Sequence, residues 1–332
     1  MKKFLILSFA LMLLLSACTP AAPQQTNPTP TTTEAPTEDD TVQVHPERQI
    51  CSVPTNAKQN VYFYKVVNGQ KLKMLFTPPT NKVYEKAPVI INIPGGGWAS
   101  ADINAYHRIL DMQYADIYAS GFATVTVDYR LISDGVTLVE LISDCMDALR
   151  FLSCYSDVLE IDTDNVITFG HSAGGHLALM LAYAPHEMFD EDKYWSEYDF
   201  NVVGTFPMSA PTILYAETEG PFGGYHSNGT KTAPATFLTQ EMRQTCSPIN
   251  YVGNGGVPCK FLMGDSDPLV SPVSAQKFAN ACIAGGVPFE IVWFENGNHG
   301  FTSANGKPVS PNYDTVRSTI VEFAESCLQL DQ

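Results

Sequence analysis

Positive charge is scarce in this chain. Nineteen lysines and arginines stand against 35 aspartates and glutamates, a formal net charge of −16. A surface this acidic argues against nucleic acid and other polyanions as partners, although it selects no substrate. The eight cysteines include no Cys-x-x-Cys pair, which argues against a zinc knuckle. No repeat stands out at the periods of solenoids or propellers. The apolar run Phe4 to Leu15 is shorter than the roughly 20 residues a membrane span needs. It follows Lys2-Lys3 and closes on Leu15-Ser16-Ala17-Cys18, the form of an export signal.

That Leu-Ser-Ala-Cys ending resembles the lipobox of bacterial lipoproteins. The resemblance implies cleavage before Cys18, lipid on its thiol, and an exported chain anchored at the cell surface or the periplasmic membrane face. Thr19 to Val44 is rich in Pro and Thr, carries Glu34, Glu38, Asp39 and Asp40, and has almost nothing to bury, so it reads as a flexible stalk. The expected organisation is a signal over 1–17, a lipidated linker over 18–50 and one domain over 51–332. With Cys18 reserved for lipid, Cys51, Cys145, Cys154, Cys246, Cys259, Cys282 and Cys327 remain. An odd number leaves at least one without an intramolecular partner, and export permits disulfides among the others.

Within the domain, Val61 to Val67 and Lys71 to Thr77 are β-rich runs joined by Asn68-Gly69-Gln70, a hairpin signal because Asn and Gly tolerate positive φ. Val89 to Ile93 and Phe122 to Val127 are nearly continuous apolar runs, as expected of strands covered on both faces. Val166 to Phe169, Val202 to Met208, Lys260 to Met263 and Phe289 to Phe294 extend the series. Helices are expected over Tyr106 to Ser120, Leu138 to Ser153, the stretch after Ser172, Ser274 to Ala284 and Tyr313 to Leu328. This alternation predicts a parallel, doubly wound sheet with an antiparallel edge. Between about 211 and 250 the periodicity disappears, which suggests an insertion over the carboxyl edge of the sheet, where ligands bind in such folds.

Gly170-His171-Ser172-Ala173-Gly174 sits between a predicted strand and a predicted helix. A turn this tight strains the serine backbone, admits only glycine two positions away on either side, and lifts the hydroxyl above the sheet as a nucleophile. Pro94-Gly95-Gly96-Gly97-Trp98 follows another strand. The amides of Gly96, Gly97 and Ala173 are candidate donors to an oxyanion. No Lys-Ser/Thr follows the glycines, as a phosphate-binding loop would require.

A nucleophilic serine needs a base. His299, in Asn296-Gly297-Asn298-His299-Gly300-Phe301, lies in the loop after the last predicted strand and is the best placed of seven histidines. His171 and His176 fall beside the serine and read as lining the elbow or packing its helix; His107 and His226 are substrate-contact candidates, and His45 and His186 read as surface. The acid is expected after Lys260 to Met263, from Asp267 rather than Asp265, which reads as a turn cap. Trp98 and His171 are the candidate substrate-binding residues. Neither metal nor organic cofactor is required by this chemistry.

Pro94 to Trp98, Asp128-Tyr129-Arg130-Leu131, Asp144 to Leu152, Gly170 to Leu177, Ser247-Pro248, Gly264 to Val270 and Asn298 to Phe301, in this order, resemble the α/β-hydrolase esterases. The nearest branches are the hormone-sensitive-lipase-like and the acetylxylan/feruloyl-esterase-like (BD-FAE-like) enzymes. Pro94 stands where many lipase-like members carry histidine; the Pro-Gly-Gly-Gly-aromatic form resembles the carbohydrate-esterase side. The resemblance implies a mostly parallel eight-stranded sheet with an N-terminal antiparallel hairpin and helices on both faces. It also implies a serine esterase acting through an acyl-enzyme on a small acyl ester or acylated polysaccharide, acetylxylan first. The alternatives are an arylformamidase or peptidase with the same triad, or an inactive glycan-binding surface lipoprotein.

Overall fold

The computed structural model describes residues 60–190, 195–215, 239–253 and 256–329. The expected signal over 1–17 and linker over 18–50, Cys18, Cys51, His45, His226 and the middle of the expected 211–250 insertion lie outside them. The strands are β1 (Asn60–Val67), β2 (Gln70–Thr77), β3 (Ala87–Ile93), β4 (Ala123–Val127), β5 (Ile161–His171), β6 (Val202–Met208), β7 (Cys259–Gly264) and β8 (Phe289–Phe294). The helices are α1 (Ile103–Gln113), α2 (Ala115–Ala119), α3 (Leu138–Cys154), α4 (Ser156–Leu159), α5 (Ala173–Tyr183), α6 (Gln240–Thr245), α7 (Pro272–Ala284), α8 (Tyr313–Arg317) and α9 (Thr319–Cys327).

The strands form one sheet in the order β1-β2-β4-β3-β5-β6-β7-β8. β1 and β2 pair antiparallel, as do β2 and β4; from β4 to β8 every pairing is parallel. Asn68 and Gly69 turn the hairpin at φ 50° and 79°. All residues of β3, β4 and β6 are buried. Alternation splits them between two cores: Val89, Ile91 and Ile93 pack on the α3–α5 side, Ile90 with Phe122, Phe169 and Ile320 on the other. Each fully buried aliphatic side chain of this size contributes about 1.5–3 kcal/mol.

Two expected helices are each broken in two. The first stops at Gln113, where Tyr114 turns away at φ −128° and ψ 28° to pack edge-on against Phe169, 5.5 Å away. The second is interrupted at Ser318, between α8 and α9. At the first a tertiary contact overrides a continuous sequence pattern; at the second the Ser318 hydroxyl donates back to Thr315 O at 2.8 Å. Cys145, Cys154, Cys246, Cys259, Cys282 and Cys327 are all free thiols, so no disulfide links the described cysteines.

Beneath β1 a buried ion cluster joins distant segments. Lys65 Nζ lies 2.9 Å from Asp144 and 2.6 Å from Asp147. Arg130 meets Asp144 through Nε at 2.8 Å and Glu140 at 3.0 Å, while Arg150 meets Asp147 at 3.3 Å. Burial pulls the Lys65 ammonium down, but Asp144 and Asp147 more than offset it and hold it above its usual value. Removing one partner from such a cluster strands a buried charge and costs about 3–5 kcal/mol. The same segment reaches the glycine loop: Tyr129 Oη donates to Pro94 O at 2.6 Å, and the Ile132 amide to Trp98 O at 3.0 Å.

Candidate active site

The order of the strands makes the cleft. After β3 the chain moves to one side of the sheet, into β4; after β5 it moves to the other, into β6. The loops leaving β3 and β5 therefore diverge, and the crevice between their carboxyl ends is where open α/β sheets bind ligands. The Pro94–Trp98 loop leaves β3 there, and Ser172 leaves β5.

Ser172 sits at φ 57° and ψ −121°, a conformation disfavoured for any side chain, as the first residue before α5. Such a residue costs on the order of 1–3 kcal/mol and persists only where its surroundings over-determine it. Here its amide donates to Met208 O of β6 at 2.8 Å, and its carbonyl accepts from His176 at 3.0 Å. The flanking glycines are sterically obligatory. A Cβ on Gly170 would lie 2.3 Å from Gly174 O, and one on Gly174 would lie 1.9 Å from Ile93 O.

These contacts also press the elbow against the glycine loop, since a Cβ on Gly95 would lie 2.4 Å from His171 O. Gly96 and Gly97 both have positive φ, 128° and 62°, and a Cβ on Gly96 would lie 2.1 Å from Ser100 O. Ala173 opens α5, so its amide points out of the positive end of the helix dipole. The three amides chosen from sequence thus belong to two loops in direct contact.

Gly264 brings the loops after β7 and β8 together: its Cβ position is 2.4 Å from Gly297 O, and Ser266 donates its amide to the same oxygen at 3.0 Å. Across this junction His299 Nδ1 lies 2.7 Å from Asp267 Oδ2. The Asp267 side chain is fully buried and that of His299 is 16% exposed. Asp267 Oδ1 accepts the amides of Leu269 and Val270 at 2.8 and 3.0 Å. Asp265 is exposed and, among the described residues, its side chain accepts the Ser266 hydroxyl at 2.9 Å. With Nδ1–H given to the carboxylate, His299 Nε2 is a bare acceptor. Neither that nitrogen nor the Ser172 hydroxyl makes a hydrogen bond among the described residues, so the structure joins His299 to Asp267 but does not join it to Ser172. Catalytic hydrogen bonds of this kind often tighten only when substrate binds.

The other histidines divide sharply. His171 Nε2 contacts His299 O at 2.8 Å, and burial followed by the charge of His299 pushes its pKa down to about 4. His176 is buried against Cys246 O at 2.7 Å, and burial pushes its pKa to about 4 as well. His107 is a core residue between Thr77 and Thr126, 2.9 Å from each hydroxyl, not a substrate contact. His186 is half-buried and stacks on Phe200 at 4.3 Å rather than standing in solvent. Trp98 also corrects the sequence reading. It is fully buried, edge-on to His176 at 5.2 Å, and offers no face to a sugar.

Beside His171 lies a cavity of about 370 Å³, walled by Tyr106, Phe169, Met208, Phe301 and Tyr313. Sequence reasoning missed this cavity and also Ser209, which donates its hydroxyl to His299 O at 3.2 Å. The available signal for Ser209 was its place immediately after β6, the strand beside the one that leads into Ser172. Among the described residues, no group of three or more His, Cys, Asp or Glu side chains is arranged to hold a metal, and no helix is long and apolar enough to cross a membrane.

The BD-FAE family model matches residues 75–282. The chain is 25% identical over 222 residues to endo-1,4-beta-xylanase B of Butyrivibrio fibrisolvens, covering 66% of this chain and 33% of that protein. It is 25% identical over 209 residues to a Mycobacterium tuberculosis protein named as a carboxylic ester hydrolase, LipM, covering 58% and 44%. It therefore spans less than half the length of each of these curated relatives. Esterase 2 of Thermogutta terrifontis shares the fold, with a TM-score of 0.67 at 22% identity over 83% of this chain and 97% of that one.

Proposed function

The chain belongs to the BD-FAE family, and on that premise we propose that it is a serine carboxylic ester hydrolase acting on acetylated or short-chain-acylated carbohydrate. The observation that carries the reading is the 2.7 Å contact of His299 with a buried Asp267, on the sheet edge where Ser172 is held in a strained turn. In the proposed reaction His299 Nε2 takes the Ser172 proton as Oγ attacks the ester carbonyl. The amides of Gly96, Gly97 and Ala173 receive the developing oxyanion, a role in which each donor is worth about 10²–10³ in rate. The alcohol departs with the proton from His299, and water releases the acid from the acyl-enzyme.

The carbohydrate part of the proposal is supported by the Pro-Gly-Gly-Gly-Trp loop and by the likeness to a protein named as a xylanase. The test is acid release from p-nitrophenyl acetate, longer acyl esters and acetylated xylan, with fluorophosphonate labelling alongside. Ser172→Ala should abolish both turnover and labelling without changing the melting temperature. Turnover by that variant would refute the nucleophile. Hydrolysis of simple esters with none of acetylated xylan would refute the carbohydrate part alone.

A further inference from the structure

We propose that His171 and Ser209 are positioning residues: together they clamp the backbone carbonyl of His299 and set the angle at which its imidazole meets Ser172. This rests on the serine-hydrolase reading above. His171 Nε2 lies 2.8 Å and Ser209 Oγ 3.2 Å from that one oxygen. A carbonyl has two lone pairs, and these donors occupy both. They come from 128 and 90 residues away in sequence.

Their placement ties the base to the nucleophile's own neighbours. His171 ends β5 and directly precedes Ser172; Ser209 follows β6, whose Met208 carbonyl holds the Ser172 amide. Any shift of the elbow is therefore passed to the base loop through two hydrogen bonds instead of through the long chain path between them. Ser209 is itself strained, at φ 45°, with its amide fixed to Leu262 O at 2.9 Å. A strained non-glycine residue beside a second one, Ser172, marks a place where the surrounding structure dictates the direction of a side chain.

The chemistry of His171 suits the task. Its ring stands 4.7 Å from that of His299, and the environment keeps it neutral near pH 7, with Nε2–H as the donor. A charged ring there would oppose the imidazolium that His299 becomes on taking the Ser172 proton. Because the clamp acts on the geometry of proton transfer, its loss should fall on kcat and leave KM nearly unchanged.

The experiment compares the full chain with His171→Leu, His171→Gln and Ser209→Ala, using p-nitrophenyl acetate kinetics, fluorophosphonate labelling rates and melting temperatures. Leucine removes the donor; glutamine restores an N–H at nearly the same reach. A misplacement of about 1 Å costs on the order of 10² in rate, so His171→Leu should lose about that much kcat and label correspondingly slowly, with glutamine recovering most of both. Ser209→Ala should lose less. Wild-type kcat in His171→Leu, or glutamine no better than leucine at unchanged melting temperature, overturns the clamp. If His171→Leu does not fold, Ser209→Ala decides: reduced kcat at wild-type melting temperature supports the clamp, and wild-type kcat overturns it. A wild-type chain that neither turns over esters nor labels overturns the serine-hydrolase reading, and the clamp with it.

Discussion

The two oxygens of Asp267 do different work on either side of His299: Oδ2 meets Nδ1 of the imidazole at 2.7 Å, and Oδ1 is held by the amides of Leu269 and Val270. This division predicts the outcome of Asp267→Asn. The two amides will keep the one remaining oxygen, turning the new NH₂ group toward Nδ1. That nitrogen must then accept, its proton moves to Nε2, and the base is blocked. Ester turnover should fall by about 10⁴, as expected when the imidazole is locked in the wrong tautomer. Steady-state kinetics beside a thermal melt check this; a loss of only a few fold shows that Asp267 does not orient the base.

Gly174→Ala should be far more damaging than an ordinary glycine replacement in the first turn of a helix. Its Cβ would stand 1.9 Å from Ile93 O, and backbone there cannot move without displacing β3 and the Pro94–Trp98 loop together. Overpacking of this kind costs about 1–3 kcal/mol or more. The measurement is the urea midpoint, with Gly69→Ala as a comparison in open space, where only φ 79° is strained. Equal losses in the two variants exclude the steric account.

Acid should destabilise the fold through His176. Burial holds its pKa near 4 in the folded chain, below the ordinary 6.5, with the hydrogen bond to Cys246 O offsetting part of the shift. As the pH falls through 6.5 the unfolded chain takes up a proton that the folded chain refuses until about 4. The stability contributed by the neutral form is therefore complete above 6.5 and is lost between 6.5 and about 4. His176→Phe keeps the ring and removes the titration, so the wild type should lose stability relative to this variant over that window. A difference independent of pH rules out His176 as the source.

Some of this molecule is visible in short stretches of sequence. Asn68-Gly69 turns a hairpin because both residues accept positive φ. Gly170 to Gly174 announces a strained serine because the clash that Gly170 avoids, with Gly174 O, lies within five residues, although the one that Gly174 avoids is with Ile93 O of β3. Tyr114 shows the opposite case: nothing around it interrupts a helical pattern, and the break comes from its packing on Phe169, 55 positions along the numbering. Trp98 reads equally well as a ligand wall or as core until the position of His176 is known.

The amino-acid sequence by itself determined the alternation of strands and helices, the elbow at Ser172 and the glycine loop after β3, because periodicity and backbone preference act over a few residues. Only the tertiary structure decided that His299 faces Asp267, that His107 and Trp98 are core, and that Ser209 and His171 share one carbonyl. Those outcomes depend on the order of strands in the sheet, which brings groups as far apart as His171 and His299, 128 residues, within hydrogen-bond reach, and no local preference encodes that order.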